Sequence, residues 1–295
     1  MTFYGKPIKE LEQLPSVPIV LNKILTAIDD NSVSNKEVAQ IIGFDPILTA
    51  KVLSLANSAL FGGRAQINEI SAAVTRLGRS EIKNIAMTIY IANMISGLSL
   101  NSIKIDQFWK HSLATGFISR KLVSYLDSAD KTSSYELENN LYIAGLLHDL
   151  GFVFWDMYMP LNFKKILETS IAENETIAFT EKKIQNTNYV EEGAKILRYW
   201  SLPTNIVSYI INYSNPEKAV QKYKTGAYIL NAGTYISNLT GFKNVSNAEM
   251  IRHPENIMDI FTFKDYSEED IKDLFDEFLG QSKLFIAFSE MIMSS

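Results

Sequence analysis

Tyr142-Ile-Ala-Gly-Leu-Leu-His-Asp-Leu-Gly151 is an apolar helical run that closes on a histidine and an aspartate. Neighbours at the end of a helix can turn a ring nitrogen, from His148, and a carboxylate oxygen, from Asp149, towards one point. Hard divalent cations and dinuclear centres are gripped in this way. A third donor stands in Trp109-Lys-His-Ser112, where His111 lies on an earlier helical stretch. The chemistry of the chain turns on whether a full ligand set surrounds these three residues.

Outward from this run, helical periodicity dominates. Val17, Val20, Leu21, Ile24, Leu25 and Ile28 fall on one face of an amphipathic helix. Ser34-Asn-Lys-Glu37 reads as a capping box, with Val38, Ile41 and Ile42 as the buried stripe behind it. Asp45-Pro46 restarts the chain, the aspartate as cap and the proline where a missing N–H costs nothing. The helix so opened carries Ile47, Leu48, Val52, Leu55 and Ala56, and stops at Asn57-Ser58 and a Gly62-Gly63 turn. Gly78 separates helices predicted around 72–77 and 80–95. Beyond them the pattern predicts helices over 108–126 and up to His148, the latter with Ser133 and Glu136 as its capping box. Further helices are predicted at 161–174, 189–199, 203–213, 225–237 and 270–293.

Strand-like alternation is nearly absent, so the class is all-α. The polar stretch Leu98 to Asp106 lacks the helical stripe and divides the chain into two helical lobes, residues 1–104 and 105–295.

Composition narrows the function. The 295 residues are 46% hydrophobic and 21% charged, enough for a packed core. A net charge of -5 supplies no cation excess for neutralising phosphates. Without cysteine there is no disulfide, thiolate metal site or Cys nucleophile. No signal peptide or apolar run of membrane-spanning length is read, so the expectation is a cytoplasmic protein without membrane contact. The segment Glu37 to Leu53 has the outline of a helix-turn-helix. Its second helix opens with Pro46, Ile47, Leu48 and Thr49 and holds Lys51 as its one cation, so no DNA binding is expected.

Several phrases together resemble the HDOD family, an output domain of bacterial signalling proteins related to HD phosphohydrolases. They are Leu14-Pro-Ser-Val-Pro18, Ile42-Gly-Phe-Asp-Pro-Ile-Leu-Thr-Ala-Lys51, Leu55-Ala-Asn-Ser58, Phe61-Gly62 and Ile70-Ser-Ala-Ala-Val-Thr-Arg-Leu-Gly78. In the second lobe they continue with Trp109-Lys-His111, Ala144 to Gly151, Glu191-Glu-Gly-Ala194 and Trp200-Ser-Leu-Pro203. The resemblance runs from about Leu14 to about Gly241, and it makes the second lobe an HD-like helical bundle with a C-terminal helical extension.

The related hydrolases use a first histidine, the His-Asp doublet and a later aspartate, often with extra histidines. His111, His148 and Asp149 fit that pattern. Elsewhere Tyr189 stands before Glu191-Glu-Gly-Ala194, Tyr213-Ser-Asn-Pro216 replaces a His-His pair, and Leu230-Asn-Ala-Gly-Thr-Tyr235 offers no carboxylate. The remaining histidine, His253, lies outside the pattern. The resemblance therefore implies a non-catalytic module that acts through contact with a signalling partner protein, with no cofactor or metal. His111, His148 and Asp149 would then persist as a vestigial hydrogen-bonded cluster. The alternatives are a metal-dependent phosphohydrolase of nucleotides or cyclic dinucleotides, holding a divalent metal weakly, and a non-catalytic nucleotide sensor.

Overall fold

The computed structural model describes residues 2–8, 19–30, 32–58, 61, 65–125, 131–243 and 268–293. The Leu14–Pro18 motif, the Gly62-Gly63 turn and His253 lie outside these residues. The described chain is helical apart from one short hairpin. Its contacts gather into two compact units, Pro15–Gly97 with Ile286–Ser295, and Met1–Leu14 with Leu98–Phe285.

In the first of these, α1 (Ile19–Asp29) buries Leu21, Ile24, Ala27 and Ile28. Helix α2 (Asn35–Gly43) begins with the capping box: Glu37 N–H donates to Ser34 Oγ and Ser34 N–H donates to Glu37 Oε2. Its inward face is Val38, Ala39 and Ile42, with Ala39 in the place expected of Ile41. Helix α3 (Pro46–Ala56) is capped by Asp45, whose Oδ1 accepts Leu48 N–H at 3.0 Å. The Tyr90 hydroxyl of α5 (Arg79–Ser96) donates to the other oxygen of that carboxylate.

Leu48, Val52, Leu55 and Ala56 face inward, whereas Ile47 is 60% and Phe44 80% exposed. Asn57 explains why α3 stops where it does. Its side-chain amide donates to Leu53 O and Ile67 O and accepts from Ile67 N–H, clamping two distant backbone segments. Arg76 of α4 (Ile70–Leu77) then covers the carbonyls of Ala56 and Ala65. Lys51 caps the carbonyls of Met291 and Ile292, which draws the end of the C-terminal helix Glu268–Met293 into this unit.

The other unit starts with a hairpin, β1 (Thr2–Phe3) antiparallel to β2 (Lys6–Pro7). It continues through α6 (Ile105–Val123), α7 (Lys131–Leu147), α8 (Leu150–Tyr158), α9 (Pro160–Glu173) and α10 (Ile177–Gln185). After these come α11 (Tyr189–Tyr199), α12 (Thr204–Asn212), α13 (Gln221–Leu239) and α14 (Glu268–Met293) up to Phe285. Ser133, expected ahead of that helix as its cap, falls inside the range of α7.

The break read between residues 104 and 105 falls at Gly97 and Leu98 instead. The buried carboxylate of Asp156 accepts the backbone N–H groups of Asn101, Ser102 and Ile103, which ties that polar stretch to α8. Helices α6 and α7 cross where glycine meets glycine: a Cβ on Gly145 would lie 2.5 Å from Gly116 Cα. That contact sits five residues after His111 and three before His148, so it brings both rings together.

Candidate functional site

His111 projects from the second turn of α6, while His148 and Asp149 form the corner between α7 and α8. All three are buried. The structure unites the residues singled out from sequence: His148 Nε2 is 3.2 Å and His111 Nε2 3.5 Å from Asp149 Oδ2, and the two Nε2 atoms are 3.3 Å apart. Asp149 occupies the N-cap position of α8 without capping it. Its carboxylate is turned towards the histidines, with the positive end of the helix dipole beside it.

Two backbone carbonyls decide the state of the rings. His111 Nδ1 meets Phe242 O at 2.8 Å, and His148 Nδ1 meets Gly145 O at 2.8 Å. A carbonyl only accepts, so Nδ1 must carry the hydrogen in both rings. In the neutral rings each Nε2 then presents a lone pair, and both lone pairs face each other and a carboxylate oxygen. Three acceptors at such spacing need one cation among them, a proton or a metal ion. Burial alone would push the Asp149 carboxyl up, but the charge and hydrogen bonds of His148 and His111 hold it well below the usual carboxylate range.

The second carboxylate oxygen is covered. Tyr213 hydroxyl donates to Asp149 Oδ1 at 3.0 Å and shares a 2.6 Å hydrogen bond with the Tyr189 hydroxyl. Both tyrosines are buried. They stand at positions where the sequence lacked the hydrolase ligands, and their role as a cap on the carboxylate escaped sequence reading. Asn231, in the segment without a carboxylate, donates to Tyr213 O at 2.8 Å and so braces the cap from α13. Backbone acceptors such as Phe242 O carry no residue signal that could have revealed them.

The HDOD domain model matches residues 14–216. The chain belongs to the HDOD domain family. Among solved structures it resembles an HDOD domain protein of unknown function from Geobacter sulfurreducens, 23% identical with a TM-score of 0.73 over 96% of this chain and 94% of that one. A candidate signal transduction protein from Marinobacter aquaeolei VT8 is 18% identical, with a TM-score of 0.72 over 95% of this chain and 60% of that one. A candidate phosphohydrolase from Shewanella amazonensis SB2B is 18% identical, with a TM-score of 0.65 over 97% and 95%. At these identities the likeness is one of fold. An uncharacterized protein of Treponema pallidum (strain Nichols) is 26% identical over 214 residues, 72% of this chain. The chain spans 40% of that relative's length. No helix among the described residues is long and apolar enough to cross a membrane.

The expected likeness to HD hydrolases raises the question of a metal. Bonds of about 2.0–2.2 Å would hold neighbouring ligand atoms about 3.0–3.5 Å apart, and the three donors already have that spacing. His111 Nε2, His148 Nε2 and Asp149 Oδ2 thus fit a single divalent cation, with both rings anchored by carbonyl acceptors as metal-bound histidines usually are. A dinuclear centre finds no second ligand set among the described residues. Among the described residues no further carboxylate, imidazole or thiol joins the cluster, and a tyrosine hydroxyl takes the free carboxylate oxygen.

Proposed function

We propose that this HDOD domain is a bacterial signal-transduction module that works through contact with a partner protein and turns over no substrate. One observation carries the reading: the cluster is sealed. His111 and Asp149 are wholly buried and His148 is 1% exposed, and the tyrosine pair takes the Asp149 oxygen that the histidines leave free. Metal-assisted hydrolysis needs an activated water and room for a substrate beside it. In this reading one proton shared between the imidazoles and Asp149 is the resting occupant, no cofactor is resident, and the cluster clasps α6 to the α7–α8 corner. The module is cytoplasmic, with neither DNA nor membrane as partner.

A second reading, a metal-dependent phosphohydrolase acting on a nucleotide or cyclic dinucleotide, is favoured by the ligand-like spacing of the three donors. The two separate in one assay. The purified chain is incubated with Mn²⁺, Mg²⁺ or Fe²⁺ and offered phosphomonoesters, nucleotides and cyclic dinucleotides. No turnover is expected above the metal-only blank. Turnover that disappears in His148→Ala would establish the enzyme.

A further inference from the structure

Tyr4 adopts a backbone conformation that tyrosine rarely takes. With Gly5 it forms the two-residue loop between β1 and β2, at φ values of 44° and 82°. Loops with two positive φ angles suit asparagine and glycine, and a bulky side chain there is strained. Such an outlier persists where its surroundings hold it in place. Here the Tyr4 ring stacks on Trp155 at 5.5 Å and 14°, and its N–H donates to Glu192 Oε2 at 2.9 Å. Its hydroxyl donates to Glu181 Oε1. Burial, with the negative charge of Glu181 beside it, pushes the phenol far above its ordinary value, so it remains a donor.

Glu181 leads inward. It is fully buried, and its other oxygen accepts Tyr189 N–H at 2.6 Å, at the first residue of α11. Tyr189 O in turn lies against Gly151, two residues beyond Asp149, where a Cβ would come within 2.0 Å of that carbonyl. The Tyr189 hydroxyl is the outer member of the tyrosine pair on the Asp149 carboxylate. From the hairpin to the cluster there is thus an unbroken line: Tyr4, Glu181, the α11 start, Tyr189, Tyr213, Asp149.

We propose that Tyr4 is a positioning residue of the His–Asp cluster: by fixing Glu181 it sets the first turn of α11, and so the tyrosine pair that orients Asp149. The hairpin is a strap on the site. This goes beyond the signalling reading and does not depend on it, because the line exists whether or not a substrate is turned over. The bland account is that the hairpin only completes an aromatic cluster, since Phe3 packs on Phe154 and Tyr158.

Histidine side-chain ¹⁵N–¹H spectra of the full chain separate the two. His111 and His148 are assigned by single substitution, and wild type is compared with Tyr4→Phe, Glu181→Gln and Tyr213→Phe. Tyr4→Phe keeps the ring on Trp155 and removes only the hydroxyl. It is expected to move the Nε2 resonances of His111 and His148 in the direction that Tyr213→Phe moves them, by a smaller amount, and Glu181→Gln should do likewise. Should Tyr4→Phe lose its fold, Glu181→Gln decides alone. Lowered melting temperatures with unmoved histidine resonances would overturn the proposal and leave the hairpin as an aromatic plug.

Discussion

Asp149 is where burial and charge compete most sharply. A carboxylate with no exposed surface would ordinarily be neutral, yet two imidazoles within 3.5 Å and a tyrosine hydroxyl at 3.0 Å hold it ionised. The sign of the pH effect follows. The folded-state value lies below the 3.8 of an unperturbed aspartate, so the stabilisation is fully present above about pH 4 and is lost as the pH falls further. The expected loss reaches about 1.4 kcal/mol per pH unit from this group alone. Urea unfolding from about pH 5 down to about pH 3 should show it in wild type and not in Asp149→Asn. Parallel curves would contradict the electrostatic account.

At this scale the sequence was informative for His111, His148 and Asp149, because a doublet at a helix end restricts where its side chains can point. It was silent on Phe242 O and Gly145 O. A carbonyl looks the same at every residue, and Phe242 lies 131 positions from the ring it fixes.

Elements were legible where local chemistry decides them. The Ser34–Glu37 box and the Asp45-Pro46 start both form as read, since caps depend on residues three apart. Two helices and the hairpin were not legible. Helix α8 buries Leu150 through Asp156 on every side, so its sequence carries no polar stripe to mark a period. Helix α10 does the reverse and turns Thr180 and Glu181 inward, because Glu181 serves Tyr4 and Tyr189 and so cannot be part of an apolar stripe. The hairpin has two-residue strands, too short to alternate.

Close packing between α8 and α11 makes a further test at this scale. Gly151→Ala would put a methyl group 2.0 Å from Tyr189 O, a backbone atom that cannot swing aside. The expected cost is about 1–3 kcal/mol in urea unfolding, with the Tyr189–Tyr213 pair displaced from Asp149. Unchanged stability would mean that α11 gives way freely and that the tyrosine cap is loosely held.

For the whole molecule, an all-α chain was legible from periodicity, and the family from phrases such as Asp45 to Ser58, whose residues prove to be cap, stripe and clamp. The grouping of the chain ends was not legible, because it rests on long-range polar contacts: Tyr4 to Glu181 and Glu192 in one unit, Lys51 to Met291 and Ile292 in the other. On the proposed function, His111, His148 and Asp149 form a sealed clasp held by their own hydrogen bonds. Melting temperature measured on the purified chain before and after EDTA, alongside its metal content, distinguishes a shared proton from a bound metal ion. The sealed clasp should carry metal well below one ion per chain and keep an unchanged melting temperature. One bound ion per chain, with a marked fall on chelation that a single added metal reverses, would contradict it.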